Sequence, residues 1–381
     1  GLELNINLGP RESTIIVVNN TGRTDSKSGK SCVPVSCFDM PAKWEVEECS
    51  PNALVLDYCS FSMDNGETWE HVPVIKVQDV LIRKRFEGKV LLKFEFWVDA
   101  QYSLKNSLHL GIENVADHRI KINSKDVLQM ELGDTNIDSS IKCLDMTGYI
   151  HEGRNEIIME KGFYCSDRVF NILTDPKIHE TELTRLTYDV EIENIYILGT
   201  FKLESTGKIE IYRDNCYKTE GIFILKNSDE TVDIRNITRS GYCFFNGSML
   251  LKNCFTLEKT ENARIFLKIE DIRASGYFID IGSGSTGIRF GSDETIDITD
   301  WVLPGDNTIR LRLYTNLRNI FGPFHHISGD PHLICPDNFT DRKGWTDFSV
   351  GSDEVWSDSY FFTQFGVGGP IQVIVCQKAD A

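Results

Sequence analysis

Apolar and polar residues alternate with a period of two along most of this 381-residue chain. Successive side chains of a β-strand point to opposite faces, so this alternation is typical of strands with one buried and one solvated face. Gly, Asn, Asp and Ser separate the alternating segments, and helical periodicity is nearly absent. The clearest alternating segments are residues 90–100, 108–115, 119–123, 155–160, 208–213, 263–272, 277–282 and 308–315. Many short strands at such spacing predict an all-β protein built from sandwiches or barrels.

One motif occurs twice. LDMTGYIHEGRNEIIM (144–159) aligns without gaps with IDITDWVLPGDNTIRL (296–311). In each copy an Asp and a Thr can bind backbone amides, an aromatic residue can dock the loop on the core, and Gly-x-Asn favours a turn before the next strand. The copies lie too far apart for a solenoid, whose repeats are about 20 to 50 residues long. The repeat therefore predicts two copies of one sandwich.

The length also favours more than one domain, because single hydrophobic cores stop growing at about 250 to 300 residues. We place the first sandwich at residues 39–178 and the second at residues 179–381. Residues 1–38 are expected to be the closing strands of a preceding domain or an N-terminal extension, because LELNINL is strand-like and no start methionine precedes it. On that expectation, any targeting signal would lie outside this chain.

The charge disfavours two classes of partner. With 57 acidic and 40 basic residues, the formal net charge is −17. Nucleic acids and anionic membranes attract clustered Lys and Arg, so we expect neither to be a partner, whereas a neutral sugar is compatible with this charge.

Eleven cysteines are scattered without a CxxC pair, so the spacing predicts no zinc site, and we expect no cofactor. We expect most of them to be buried free thiols rather than a disulfide framework. Free thiols favour the cytoplasm, but the location stays open if a signal lies outside the chain.

Chemistry-bearing side chains concentrate in residues 316–332 and 343–362, two stretches without a counterpart in the repeat. Loops held by rigid sheets commonly carry function, so we expect these stretches to lie together and form a sugar site or a docking surface for a catalytic domain. Aromatic rings can stack on sugars, and an Arg can bridge two hydroxyls. The predicted binding residues are Arg318, Phe324, His325, His326, Trp345, Trp356 and Tyr360.

A structural role for the same residues stays open. Adjacent histidines on a strand point to opposite faces, so His325 and His326 do not predict a metal site. The aromatic residues could equally anchor loops on the core.

The repeated motif resembles the galactose-binding-like jelly roll known as the sugar-binding domain of glycoside hydrolase family 2. Residues 56–81, 241–258 and 316–326 extend this likeness to the C-terminal β-sandwich region of large bacterial glycoside hydrolases, including α-L-rhamnosidase-like ones. The resemblance covers roughly residues 40–378. It implies two galactose-binding-like jelly rolls that follow a catalytic barrel. Because the catalytic carboxylates of such enzymes sit on the barrel, the resemblance assigns none to this chain.

We therefore expect a non-catalytic accessory region of a glycoside hydrolase, with carbohydrate and the missing N-terminal catalytic domain as partners. Two alternatives stay open: an autonomous glycosidase with an unrecognised carboxylate pair, and an adhesion or assembly module without sugar affinity. A glycosidase needs two carboxylates about 5 to 10 Å apart across a cleft, and no acidic motif identifies such a pair. Whether this chain alone is an enzyme is thus undecided by the sequence.

Overall fold

The computed structural model describes residues 32–127, 133–135, 137–175, 177–179, 181–182, 185–213, 215–258, 263–291, 293–326, 329 and 356–378. The α-helices with defined bounds are α1 (Val74–Arg83), α2 (Asp167–Thr174) and α3 (Arg318–Phe321). Short 3₁₀ helices span Val115–Asp117, Ile234–Asn236 and Thr238–Ser240.

Strands make up most of the remaining regular structure. Up to residue 199 they are β1 (Cys32–Asp39), β2 (Lys43–Cys49), β3 (Asn52–Leu56), β4 (Tyr58–Ser62), β5 (Glu70–Pro73), β6 (Gly88–Val98), β7 (Leu108–Glu113), β8 (His118–Ile122), β9 (Lys125–Asp126), β10 (Gly133–Asp134), β11 (Ile141–Asp145), β12 (Gly153–Phe163) and β13 (Ile195–Gly199). The later strands are β14 (Lys202–Ser205), β15 (Glu210–Arg213), β16 (Cys216–Thr219), β17 (Phe223–Lys226), β18 (Thr231–Asp233), β19 (Ser248–Leu257), β20 (Ala263–Ile269), β21 (Ile272–Arg273), β22 (Gly276–Ile281), β23 (Gly284–Ser285), β24 (Glu294–Asp297), β25 (Gly305–Tyr314), β26 (Tyr360–Thr363), β27 (Gly366–Val367) and β28 (Ile371–Lys378). The prediction of an all-β sandwich protein is confirmed.

The first sandwich consists of two sheets that share one hydrophobic core. One sheet has the order β10-β11-β7-β13-β3, and the other has the order β14-β17-β6-β12-β8-β9, with β4 bound to β6 and β5 bound to β4. On β6, alternate residues from Val90 to Val98 point into the core, as the period of two predicts. The other residues of β6, including Lys93 and Glu95, therefore lie on the outer face of the sandwich.

The second sandwich has the same construction. A sheet of order β1-β28-β20-β24 faces a sheet of order β18-β2-β19-β25-β22-β23 across a second hydrophobic core. Trp44, Tyr277 and Leu311 are fully buried in that core.

The central strand pairings of the two sandwiches correspond. β12 lies between β6 and β8 as β25 lies between β19 and β22, and β13 lies between β7 and β3 as β28 lies between β20 and β1. The pair β4 and β5 corresponds to β2 and β18, whereas β10, β14 and β17 are additions of the first sandwich. The two copies of the sequence motif thus occupy equivalent places in the shared part of the two sandwiches.

The order of the strands along the chain suggests a nested arrangement. The predicted boundary at residues 38 and 39 falls inside β1, and the one at residues 178 and 179 precedes β13, which pairs with β3 and β7. We propose instead that the first sandwich is an insertion between β2 and β18 of the second. On this proposal β1 and β2 belong to the second sandwich.

The repeated motif makes the same hydrogen bonds in both copies. The side-chain amides of Asn155 and Asn307 each donate to the carbonyls two and four residues earlier, at distances of 2.7 to 3.1 Å. Each side-chain oxygen accepts from the backbone amide four residues earlier, at 3.0 Å and 2.9 Å. Gly153 and Gly305 have φ values of +82° and +94°, the left-handed region that glycine adopts most readily. In both copies the buried Asn side chain therefore fixes the conformation of the turn.

α1 is a helix in a chain for which the sequence predicts mostly strands. Val74, Val77 and Leu81 are buried, and their spacing of three and four residues places them on one helical face. Pro73, directly before the helix, ends β5 and fixes a backbone angle compatible with a helix start.

No helix of the described ranges is long and apolar enough to cross a membrane.

The cysteines are free but not uniformly buried. All nine whose side chains the structure describes lack a disulfide partner among the described residues, and four of them are buried. The expectation that most are buried is therefore wrong for this set, because strand edges and outer faces carry the others. Burial raises the pKa of the Cys59 and Cys243 thiols to about 12, so both behave as small apolar side chains.

His118, at the start of β8, predicts a loss of stability in acid. Its Nδ1 donates to the carbonyl of Asn114 at 3.0 Å, and burial, assisted by the nearby Lys161 ammonium, lowers its pKa from 6.5 to about 4. The unfolded chain takes up the proton first as the pH falls, so the folded state loses stability between these two pH values. We expect a loss of about 2 kcal/mol from this group.

Urea unfolding at pH 6.5 and pH 4 measures this loss. His118→Gln should be less sensitive to acid than the wild-type protein, whereas the exposed His179 should have no such effect when changed to glutamine. An equal acid sensitivity of wild type and His118→Gln would contradict the assignment.

Candidate functional site

A cleft of about 650 Å³ lies on the outer face of the first sandwich. The outward-facing side chains of β6 contribute to its floor, because alternate residues of this strand point away from the core. Its walls come from β4, β5, the start of α1 and the segments that precede β17 and β26. The polar and aromatic lining includes Asp57, Tyr58, Ser60, His71, Lys76, Lys93, Glu95, Trp97, Asp358 and Tyr360.

Aromatic rings are held in fixed orientations around the cleft. The rings of Tyr58 and His71 stack with centroids 5.8 Å apart. Trp97 is half-buried on the outer face of β6. Trp69, beside the cleft, lies under the ammonium group of Lys93, which is 4.4 Å from the ring centroid. The cleft therefore offers apolar ring surface next to hydrogen-bonding groups.

Two carboxylates at the cleft are held in the ionised form. Glu95 accepts a hydrogen bond from Arg154 on β12, and this bond lowers the pKa of Glu95. Asp358 accepts from the Tyr58 hydroxyl at 3.0 Å and from Trp356 Nε1 at 3.1 Å, and these bonds lower the pKa of Asp358. Burial, reinforced by Asp358, raises the pKa of Tyr58, so this phenol stays protonated.

A buried polar network supports the wall of the cleft. Asp57 accepts from the Tyr360 hydroxyl at 2.7 Å, and its other oxygen lies 3.0 Å from His325 Nε2. The side chains of Asp57 and His325 are only 7% and 5% exposed. Burial, together with Asp57, raises the pKa of Tyr360 well above its usual value, so the phenol remains a donor.

The ring of His325 has oxygen acceptors on both sides. Its Nδ1 lies 2.9 Å and 3.1 Å from the carbonyls of Ser357 and Ser359. A carbonyl only accepts, so Nδ1 carries a hydrogen, and one further hydrogen lies between Nε2 and the Asp57 carboxyl group. The network is therefore a buried, hydrogen-bonded His–Asp–Tyr cluster that ties the segment around residue 325 to the corner between β3 and β4.

The structure buries some of the predicted binding residues and places others at or beside the cleft. Arg318 in α3, Phe324 and His325 are buried, so their side chains are not available to a ligand in this structure. Phe324 packs in the first core, with its ring 5.3 Å from that of Phe244. Of the predicted residues that the structure describes, Tyr360 lines the cleft directly.

The two predicted segments meet at an antiparallel bridge between His326 and Trp356. Both residues are half-buried. The Trp356 ring stacks on His325 at 4.6 Å and lies 5.5 Å from the Lys76 ammonium group, which lines the cleft. Trp345 lies outside the described residues.

Sequence reasoning missed the side chains that residues 57–97 contribute to the cleft. The available signal was the alternation within residues 90–98, which places Lys93, Glu95 and Trp97 together on the face opposite the core. A search restricted to residues 316–332 and 343–362 could not find them, because they lie on β6. Among the described residues, no group of three His, Cys, Asp or Glu side chains is arranged to hold a metal ion.

Comparison with models of protein families found no match, and comparison with curated protein sequences found none either. Solved structures similar to this chain include a β-D-mannosidase from Dictyoglomus thermophilum, with 13% identity over 69% of this chain and 31% of that chain and a TM-score of 0.26. A β-D-glucuronidase from the same organism has 12% identity over 71% of this chain and 42% of that chain, with a TM-score of 0.28.

A glycosyl hydrolase family 2 member from Bacteroides cellulosilyticus shares 9% identity over 70% of this chain and 32% of that chain, with a TM-score of 0.25. This chain thus spans less than half the length of these solved proteins. At such identities and TM-scores, the fold and the site rest on this chain's own strands and contacts.

Proposed function

We propose that this chain is a non-catalytic, carbohydrate-binding region of a glycoside hydrolase, that both sandwiches are galactose-binding-like jelly rolls, and that the cleft is the sugar site. The observation that carries the binding role is the combination of fixed aromatic rings and hydrogen-bonding side chains in one cleft on a rigid sheet. Sugars present apolar ring faces and hydroxyl groups, which require this combination. The attribution to a glycoside hydrolase rests on the resemblance of the repeated motif.

The dimensions of the cleft fit a small ligand. Its volume of about 650 Å³ falls within the range of about 300 to 1,000 Å³ that is usual for small-molecule sites. The strands β3, β4, β5 and β6 hold most of its lining, so a ligand would meet side chains that are already in place. Pre-organised side chains reduce the entropy lost on binding.

The lowered pKa values of two carboxyl groups at the cleft support binding rather than glycoside hydrolysis at this site. A glycosidase keeps one carboxyl protonated to serve as general acid, which requires a raised pKa. Glu95 and Asp358 instead have lowered pKa values. Both oxygens of Asp57 are already bound to Tyr360 and His325.

Trp97→Ala should weaken sugar binding about tenfold, because the loss of one stacking surface removes roughly 1 to 2 kcal/mol. Calorimetry of the purified chain against a panel of oligosaccharides measures this change. Phe278→Ala is the matched control, since Phe278 is a half-buried aromatic on the outer face of β22 in the second sandwich. Equal losses for both variants, or no affinity for any saccharide, would contradict the sugar site.

The non-catalytic role is tested with aryl glycosides. We expect no turnover by the purified chain. Turnover that Glu95→Gln or Asp358→Asn abolishes would contradict the proposal and favour an autonomous glycosidase.

A further inference from the structure

Because of the internal repeat, Lys93 in the cleft can be compared with the equivalent residue of the second sandwich. Lys93 and Lys252 occupy the same position in the two sandwiches, because Lys93 pairs with Ile158 and Lys252 with Arg310, and residues 158 and 310 are equivalent in the motif. Both lysines lie on the outer face of a central strand. Differences between their surroundings therefore arise from the neighbouring side chains and not from the strand arrangement.

The two lysines have different cross-strand partners. Lys252 faces Glu45 on β2, and its ammonium nitrogen lies 3.1 Å from a Glu45 carboxylate oxygen and 3.5 Å from Glu47. Lys93 faces Ser60 on β4, whose hydroxyl cannot neutralise a charge. In the second sandwich the lysine is thus in direct contact with carboxylates of the sheet, and in the first its cross-strand partner is a hydroxyl group.

The Lys93 ammonium group lines the cleft without a direct ion pair among the described residues, although the Glu95 carboxylate on the same strand lies near enough to interact with its charge. This ammonium group lies over the Trp69 ring, and no carboxylate of the described residues lies within 4.0 Å of it. Lys76, at the start of α1, shows the same arrangement, with its ammonium group over the Trp356 ring and no described carboxylate within 4.0 Å. Both residues line the cleft. An aromatic face orients an ammonium group and leaves its hydrogens available to a second partner.

The carboxylates of the cleft are committed to other donors. Glu95 binds Arg154, and Asp358 binds Tyr58 and Trp356. Asp57 binds His325 and Tyr360 in the buried layer. Each acidic group of the lining has protein donors of its own.

The strong negative net charge of the chain does not prevent binding of an anion at this place. The field of distant surface charges is screened within about 8 Å at physiological salt. Direct contacts with Lys93 and Lys76 act at hydrogen-bonding distance, where screening is weak.

We propose that the cleft selects acidic saccharides, and that Lys93 and Lys76 bind the anionic group of the sugar. This inference rests on the proposed sugar-binding function and adds the chemical class of the ligand. The proposed ligand carries a carboxylate or sulfate substituent on a sugar ring. The aromatic rings of the cleft contact the apolar faces of the same ligand.

Calorimetry with paired ligands tests the inference. A panel of oligosaccharides that contain uronic acids is compared with the same oligosaccharides after reduction of the carboxyl groups, and sulfated oligosaccharides are compared with their desulfated forms. The best acidic ligand should bind about tenfold more tightly than its uncharged partner, because a hydrogen bond to a charged group contributes about 1.5 to 3 kcal/mol.

Lys93→Gln and Lys76→Gln should each remove most of the preference, measured as the ratio of the affinities for the acidic ligand and its uncharged partner. Lys252→Gln is the matched control and should retain the full preference. Equal affinity for acidic and uncharged partners would overturn the acidic selectivity and leave the sugar site intact. An equal loss in Lys252→Gln would also overturn it, and absence of binding to every saccharide would overturn both proposals.

Discussion

Asp57→Asn should lower the free energy of unfolding by about 2 to 3 kcal/mol, because an unsatisfied buried hydrogen-bonding group costs about 1 to 3 kcal/mol and the new side chain cannot satisfy both His325 and Tyr360. In the wild-type protein the Asp57 carboxylate lies 3.0 Å from His325 Nε2 and accepts from Tyr360 at 2.7 Å. An asparagine of nearly equal size can replace only one of these two acceptors. Denaturant unfolding followed by fluorescence measures the difference.

Glu47→Gln is the control for this experiment. Glu47 pairs with Arg310 through two hydrogen bonds of 2.6 Å and 3.1 Å, but the two side chains are 21% and 42% exposed. Water compensates for the loss of a partly exposed pair, so we expect a change below about 1 kcal/mol. A loss of that small size in Asp57→Asn would show that the buried hydrogen bonds of Asp57 do not stabilise the fold.

Asn155→Ala and Asn307→Ala should each lower the free energy of unfolding by about 2 to 4 kcal/mol. Each variant leaves three backbone groups of a buried turn without their hydrogen-bond partners, and an unsatisfied buried group costs about 1 to 3 kcal/mol. Asn155 is fully buried and Asn307 is 6% exposed. The exposed Asn171 in α2 provides the control, where a change to alanine should have little effect.

Hydrogen exchange distinguishes the two variants. Asn155→Ala should reduce amide protection in the first sandwich, and Asn307→Ala should reduce it in the second, including β1 and β2. Loss of protection in β1 and β2 together with β19 and β25 is the result expected from the nested arrangement. If β1 and β2 instead lost protection together with β6 and β12, the proposed insertion would be wrong.

The repeat was the sequence feature with the strongest consequence for the fold. Its Asp, Thr, Gly and Asn act through bonds over two to four residues, so the turn could be predicted from a short stretch of chain. The period-two alternation was equally local, because the direction of each side chain on a strand follows from backbone geometry. α1 was missed because its amphipathic spacing is carried by β-branched residues that also suit strands.

The candidate site depended on contacts that no local pattern contains. His325 and Asp57 are 268 positions apart in the chain. Prediction of their pair requires the packing of the segment between β25 and β28 against the first sandwich, and a buried histidine cannot be told from a ligand-binding one by sequence spacing. Tyr360, chosen from the same region, is the first residue of β26 and lines the cleft.

The all-β fold class, the internal duplication and the Asn-stabilised turns could be predicted from the sequence, because they follow from backbone geometry and short-range hydrogen bonds. Only the tertiary structure decided which face of β6 is open, that Lys93 faces Ser60 while its counterpart Lys252 faces Glu45, and that Asp358 reaches the same cleft. These properties depend on strand register and on packing between distant segments, and their energies arise from burial and charge pairing that exist only in the folded chain.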